Sequence, residues 1–187
     1  MKFELATSKA FGRGSILALA THVLFIATGN CVPPATQALK TVERVDLSRY
    51  VGQWYEIARY PNRFERDCAA DVTATYGKRP DEKIQVINAC RKSDGSSKTV
   101  RGNAKVADTQ TNAKLKVTFF WPFYGDYWVI VLDSNYTYAV VGEPGRKYLW
   151  ILSRTPALDE ATYRKILDQI AAAGYDAGKL VKTPQKP

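Results

Sequence analysis

Residues 50–61 read YVGQWYEIARYP, and this short run decides the fold. Gly52 stands two positions before Trp54, so the bulkiest side chain in the run lies close to a residue with no side chain at all. From Trp54 the sequence alternates apolar and polar residues, the period-two pattern of a β-strand with one buried face. If Trp54 lies on the buried face, Glu56, Ala58 and Tyr60 share it.

The same period runs on from Val45, broken by turn signals every eight to twelve residues. It predicts strands over 54–60, 70–78, 83–90, 98–107, 114–120, 127–133, 136–142 and 148–153. Turns fall at Pro80-Asp81, Ser93-Asp94-Gly95, Pro122 to Asp126, Ser134-Asn135 and Pro144-Gly145. Short connections of this kind predict an all-β, eight-stranded antiparallel up-and-down barrel. The exception is YPNRFERDCA from Tyr60 to Ala69, long enough to fold over an open barrel end. After the last strand, Asp159-Glu160 open a helix and Gly174 ends it. Tyr163, Ile166, Leu167 and Ile170 form one helical face, which predicts a helix packed outside the barrel. Eight strands closed on themselves either fill with side chains or hold one small ligand.

The 187 residues suit one domain with extra terminal sequence. Lys2, Lys9 and Arg13 precede the apolar run Ile16 to Ala27, a signal-peptide pattern too short to span a bilayer comfortably. Residues 1–30 are therefore expected to be removed. Cleavage leaves either Asn30 as a plain secreted or periplasmic N-terminus, or Cys31 as a lipidated first residue. The second reading is preferred, because Pro33-Pro34 and the polar stretch that follows suit a tether over 31–44. Asn30 departs from the small residue usual before a lipidated cysteine. The domain is expected over 45–180, with a tail at 181–187. Export permits disulfides. Of three cysteines, lipidation of Cys31 leaves Cys68 and Cys90 to pair across a hairpin turning at Pro80-Asp81.

Export also removes the only histidine, His22. His-ligated haem, His-based zinc sites and Ser-His or Cys-His dyads are then excluded. The chain has no G-x-S-x-G and no glycine-rich phosphate loop. No catalytic residue, metal or cofactor is expected. A formal charge of +9 is scattered without a basic block, so it reads as solvated surface and no nucleic-acid partner is expected.

Three motifs carry a resemblance to a known family. Gly52-Gln53-Trp54 resembles the G-x-W motif of lipocalins. LDSNYTYAVV from Leu132 to Val141 resembles their second motif, with Asp133 and Tyr136 at the turn between strands six and seven. LWILSRTP from Leu149 to Pro156 resembles the third, whose arginine, here Arg154, meets the tryptophan. WYEIARYPNRFER, VTATY and KVTFFWPFYGDYWVIVLD are similar to the bacterial outer-membrane (Blc) subgroup, related to apolipoprotein D. The resemblance covers Val45 to Leu180. It implies a lipocalin calyx, a lipid-anchored protein of the bacterial outer membrane, fatty-acid or lysophospholipid ligands, and occasional homodimers.

The Trp54–Arg154 pairing it implies closes the barrel floor as a structural contact, and it fixes parity. Tyr148, Trp150 and Leu152 then face inward on the last strand. Val72, Ala74 and Tyr76 do so on the second, and Leu115, Val117 and Phe119 on the fifth, extending to Phe123 near the mouth. With Glu56, Ala58 and Tyr60, these form the expected ligand wall, small at Ala58 and Ala74. Glu56 has two readings: it bonds Tyr or Arg neighbours, or it orients a polar head group or water. The leading function is a carrier that stores or moves hydrophobic ligands and supports membrane maintenance. The alternatives are a lipid-modifying enzyme, which requires a free inward cysteine, and a packed structural barrel.

Overall fold

The computed structural model describes residues 37–81 and 83–186. A short helix, α1 (Leu47–Tyr50), leads into eight antiparallel strands: β1 (Gly52–Arg59), β2 (Cys68–Lys78), β3 (Ile84–Lys92), β4 (Ser97–Val106), β5 (Lys114–Phe120), β6 (Phe123–Leu132), β7 (Tyr138–Gly142) and β8 (Leu149–Ser153). Each pairs with the next, and β8 returns to β1, which also pairs with β2 and closes the barrel. Helix α2 (Glu160–Ala172), a 3-10 turn (Ala177–Lys179) and a two-residue strand β9 (Val181–Lys182) follow. The Asp159 carboxylate caps α2 by accepting from the Thr162 N–H at 2.8 Å.

Two apolar layers result. The inner one joins Tyr50, Trp54, Ala74, Tyr76, Val86, Ala104, Leu115, Val129, Val141 and Leu152. The outer one joins Ile57, Val131, Val140, Leu149 and Ile151 to the buried face of α2 at Ile166 and Ile170, as the helical spacing predicts. The β5–β6 hairpin turns tightly at Trp121-Pro122, joined by a cis peptide bond. Strand β6 therefore starts at Phe123 rather than at 127, because the residues from Pro122 to Asp126, read as a turn, mostly continue the ladder, with Gly125 opposite Val117 and Asp126 opposite Lys116.

Both ends of the domain differ from expectation. The 31–44 tether is not free from Gln37 onward: Leu39 is buried in the outer layer, and the Val42 N–H donates to the Val129 carbonyl at 3.0 Å. Apolar residues at 39 and 42 give that segment a face to bury. The tail at 181–187 is part of the wall over 181–186. β9 pairs with Ala58 and Arg59, the Thr183 N–H donates to the Ile57 carbonyl, and the Pro184 carbonyl accepts from the Asp71 N–H. The β1–β2 ladder stops at Tyr55 and Thr73, so beyond it the tail fills the gap between the two strands. The signal segment 1–30 and Cys31 lie outside the described residues.

Candidate functional site

The floor of the barrel is built around Trp54, which is fully buried. The Arg154 guanidinium carbon lies 3.8 Å from the centre of its ring, a contact strengthened by exclusion of water. Arg154 also donates to the carbonyls of Arg49, Tyr50, Val51 and Gln53, most of them unsatisfied carbonyls at the end of α1. The indole N–H of Trp54 donates to the Tyr50 carbonyl at 2.8 Å. Gly52 adopts φ +101, and a Cβ there would lie 3.2 Å from an Arg154 guanidinium nitrogen. Conformation and space therefore both call for a glycine two residues before the tryptophan. Asp133 holds its turn by accepting from the N–H groups of Asn135 and Thr137. The Tyr136 hydroxyl accepts from the Asp46 N–H, and its ring lies under Arg49.

Above the floor the lower lumen is closed. Tyr50 and Tyr76 place their hydroxyls 2.8 and 2.9 Å from that of Tyr127. Burial raises all three hydroxyl pKa values, that of Tyr76 to about 12, so they stay protonated. Two hydrogen bonds use two of the three protons, leaving one O–H able to bond elsewhere. Tyr50 and Tyr127 were missing from the expected ligand wall, which drew no residue from the segment before the first strand and assigned no inward face to the strand that begins at Tyr127.

The upper lumen is different. Strands β3 and β4 pair without a register shift, with Ile84 opposite Ala104, Val86 opposite Gly102 and Asn88 opposite Val100. Ala104 belongs to the inner layer, so Val100 and Asn88 face inward by the same parity. Val100 is nevertheless 37% exposed, so the barrel is open at this height. Val117, Phe119 and Trp150 also line the inner layer without being fully buried. Ala74 and Leu115 stand lower in it, buried. The Asn88 side-chain oxygen is buried and has no partner.

Three expected wall positions are elsewhere. Pairing of β1 with β8 slips between Glu56 and Ala58, a bulge that turns the following residues over. Ala58 and Tyr60 consequently belong to the outer layer, where the Tyr60 hydroxyl donates to the Asp176 carbonyl. Arg59 takes the inward place opposite Trp150. Phe123 is 77% exposed on the rim. Tyr148 stays at the mouth, stacked on Trp150 with ring centres 5.9 Å apart.

Glu56 is 2% exposed and lies beneath the tail. It accepts from the Arg59 guanidinium at 2.9 Å and from the Thr183 hydroxyl. The same arginine reaches the Glu65 carboxylate at 3.3 Å, and Glu65 also accepts from the Trp150 indole N–H. Two carboxylates therefore share one guanidinium. Burial, then repulsion from Glu65, raises the Glu56 pKa well above the carboxylate range. Near the mouth, Cys68 and Cys90 form a disulfide, with Cα atoms 5.6 Å apart. Two clefts lie outside the barrel beside the start of α2, one lined by Asp133 and Arg154 and the other by Ile57, Lys182 and Thr183.

A family model for a lipocalin-like domain matches residues 45–185. The chain is 40% identical over 171 residues to outer membrane lipoprotein Blc of Escherichia coli (strain K12), covering 91% of this chain and 95% of that protein. It is 42% identical over 155 residues to temperature-induced lipocalin-1 of Arabidopsis thaliana, covering 79% and 83%. Over 167 residues it is 32% identical to apolipoprotein D of Mus musculus, covering 84% and 83%. Insecticyanin of Manduca sexta, a solved structure, shares the fold with a TM-score of 0.64 at 24% identity, over 78% of this chain and 83% of that one. Matches of this extent, on a barrel closed by Trp54 and Arg154, make the chain a member of the lipocalin family.

Proposed function

We propose that this protein is a carrier of the bacterial envelope that holds an acyl chain, from a fatty acid or a lysophospholipid, in the upper lumen. The observation that carries the reading is the inward-facing but exposed Val100, in a barrel whose floor is sealed at Trp54. An acyl chain entering there exchanges water for Val100, Val117, Phe119 and Trp150, gaining about 0.8 kcal/mol per buried methylene. Nothing in the task requires bond-making chemistry. The lipid-modifying alternative requires a free inward cysteine, and Cys68 and Cys90 are bonded to each other. The kinship with outer membrane lipoprotein Blc supports an outer-membrane location with a lipid on Cys31.

Mass spectrometry of gently extracted protein is expected to find a co-purified lipid, and added fatty acid to quench tryptophan fluorescence. Val100→Trp fills the upper lumen from a tolerant, exposed position, and is expected to weaken fatty-acid binding by about tenfold or more with an unchanged melting temperature. Repeated absence of a lipid, with no quenching in the native chain, would leave only a packed barrel.

A further inference from the structure

The barrel carries most of its exposed large apolar side chains at one end. Phe120, Trp121 and Phe123 are 77%, 82% and 77% exposed, and Tyr124 and Phe64 are also exposed. The first four form the β5–β6 hairpin tip, and Phe64 lies in the β1–β2 connection. In an up-and-down barrel both connections belong to the end opposite the Trp54 floor, so the aromatic residues crown the mouth from two sides. Phe64 packs on Tyr148 at 5.6 Å, and Tyr148 stacks on Trp150 inside the lumen, a continuous aromatic path from rim to interior. Cations flank the crown: Lys105 lies 4.7 Å from the Tyr124 ring centre and Arg63 5.3 Å from that of Phe64. Aromatic rings bordered by Lys and Arg suit a water–lipid interface, where one end of each group is apolar and the other wet.

The course of the N-terminal segment points the same way. The Gln37 carbonyl accepts from Arg146 at 2.8 Å, and Arg146 lies in the β7–β8 connection, at the mouth end. From there the segment descends the outer wall, bonding Val129 through Val42 and then Thr111 near the floor through Val45. The described chain therefore begins at the mouth end.

We propose that the aromatic crown is a lipid-docking surface which seats the barrel mouth-down on an anionic bilayer, so that an acyl chain passes between membrane and lumen without crossing water. The crown acts independently of the Cys31 anchor. Its use in loading rests on the carrier reading above.

The test uses the full chain, exported from a bacterial host, carrying Cys31→Ser against lipidation and purified as the species whose mass shows the leader removed, so that neither lipid nor leader contributes. The probe is vesicles of phosphatidylethanolamine and phosphatidylglycerol with brominated acyl chains. The chain is expected to float with the vesicles and its tryptophan fluorescence to be quenched, both diminished by salt. Adding Phe120→Ser, Trp121→Ser and Phe123→Ser is expected to lower vesicle partition by about tenfold or more. The melting temperature and fatty-acid binding should not change, because these side chains already face water. Failure of the Cys31→Ser chain to float, or equal flotation of the crown variant, overturns the proposal. A crown variant that alters sedimentation of the protein alone but not flotation also overturns it, and marks the crown as a contact between copies. Flotation that depends on the crown in a chain that binds no fatty acid would uphold the docking surface while ending the carrier reading.

Discussion

Glu56 stands where two needs meet: the inner wall calls for an apolar residue, and the tail crossing above it calls for an acceptor. Burial and the neighbouring Glu65 carboxylate hold its proton up to about pH 8, against an ordinary value of 4.5. Between those values the unfolded chain has released the proton and the folded chain keeps it. The folded state then binds more protons, so this group makes stability fall as pH rises through that window and level off above it. Glu56→Gln keeps an oxygen for Thr183 and Arg59 and removes the titration. The variant is expected to match the native melting temperature near pH 4.5 and to exceed it increasingly toward pH 8. Thermal melts of both proteins across that range check this; parallel curves would contradict it. At this scale the sequence was readable wherever parity held. Trp54, Ala74, Leu115 and Trp150 lie on the faces assigned to them, while Ala58 and Tyr60 do not. The bulge leaves no mark in the alternating pattern, because the unpaired Ile57 and the Ala58 that follows it are both apolar and suit either face.

The strand and helix order was readable because each element needs only local signals: period two, turn residues, and the Asp159 cap. The wall segment at 181–186 has no such signal. VKTPQK is polar, contains a proline and joins the sheet through only two paired residues. Its position is instead fixed by side chains. The Gln185 amide donates to the Glu56 carbonyl and to the Val72 carbonyl, each at 2.8 Å, and so ties β1 to β2 where their own ladder has ended. Asp71 receives the Lys186 N–H and holds Arg91 at 2.7 Å from a left-handed backbone, φ 54. Gln185→Ala is expected to cost about 1–2 kcal/mol, since two carbonyls lose their donor. Hydrogen exchange should show the amides of Asp71 and Thr183 opening faster while those of β6 and β7 hold. Uniform acceleration across the barrel would mean that the segment is not a separable latch.

Over the whole molecule, the barrel is asymmetric: a floor sealed by Trp54, Arg154 and α1, and a mouth open between aromatic rims. The three motifs made the floor legible, because a plug needs particular residues. The openness of the mouth depends on how far strands diverge, which composition does not encode. The Cys68–Cys90 bond lies on the mouth half and spans 22 residues. It restricts the unfolded chain by about 3 kcal/mol for a loop of that length. Reduction is expected to lower the urea midpoint accordingly while leaving fatty-acid affinity nearly unchanged, measured with and without reductant in the same titration.

The latch at 181–186 also imposes an order in time. Every strand from β1 to β8 leaves the ribosome before the residues that fill the space between β1 and β2. Until Gln185 emerges, the Glu56 and Val72 carbonyls lack that donor and the wall cannot be finished. For the envelope protein proposed above, which must be threaded unfolded through a narrow channel, that delay is a gain, because its barrel is locked by a segment made after all eight strands.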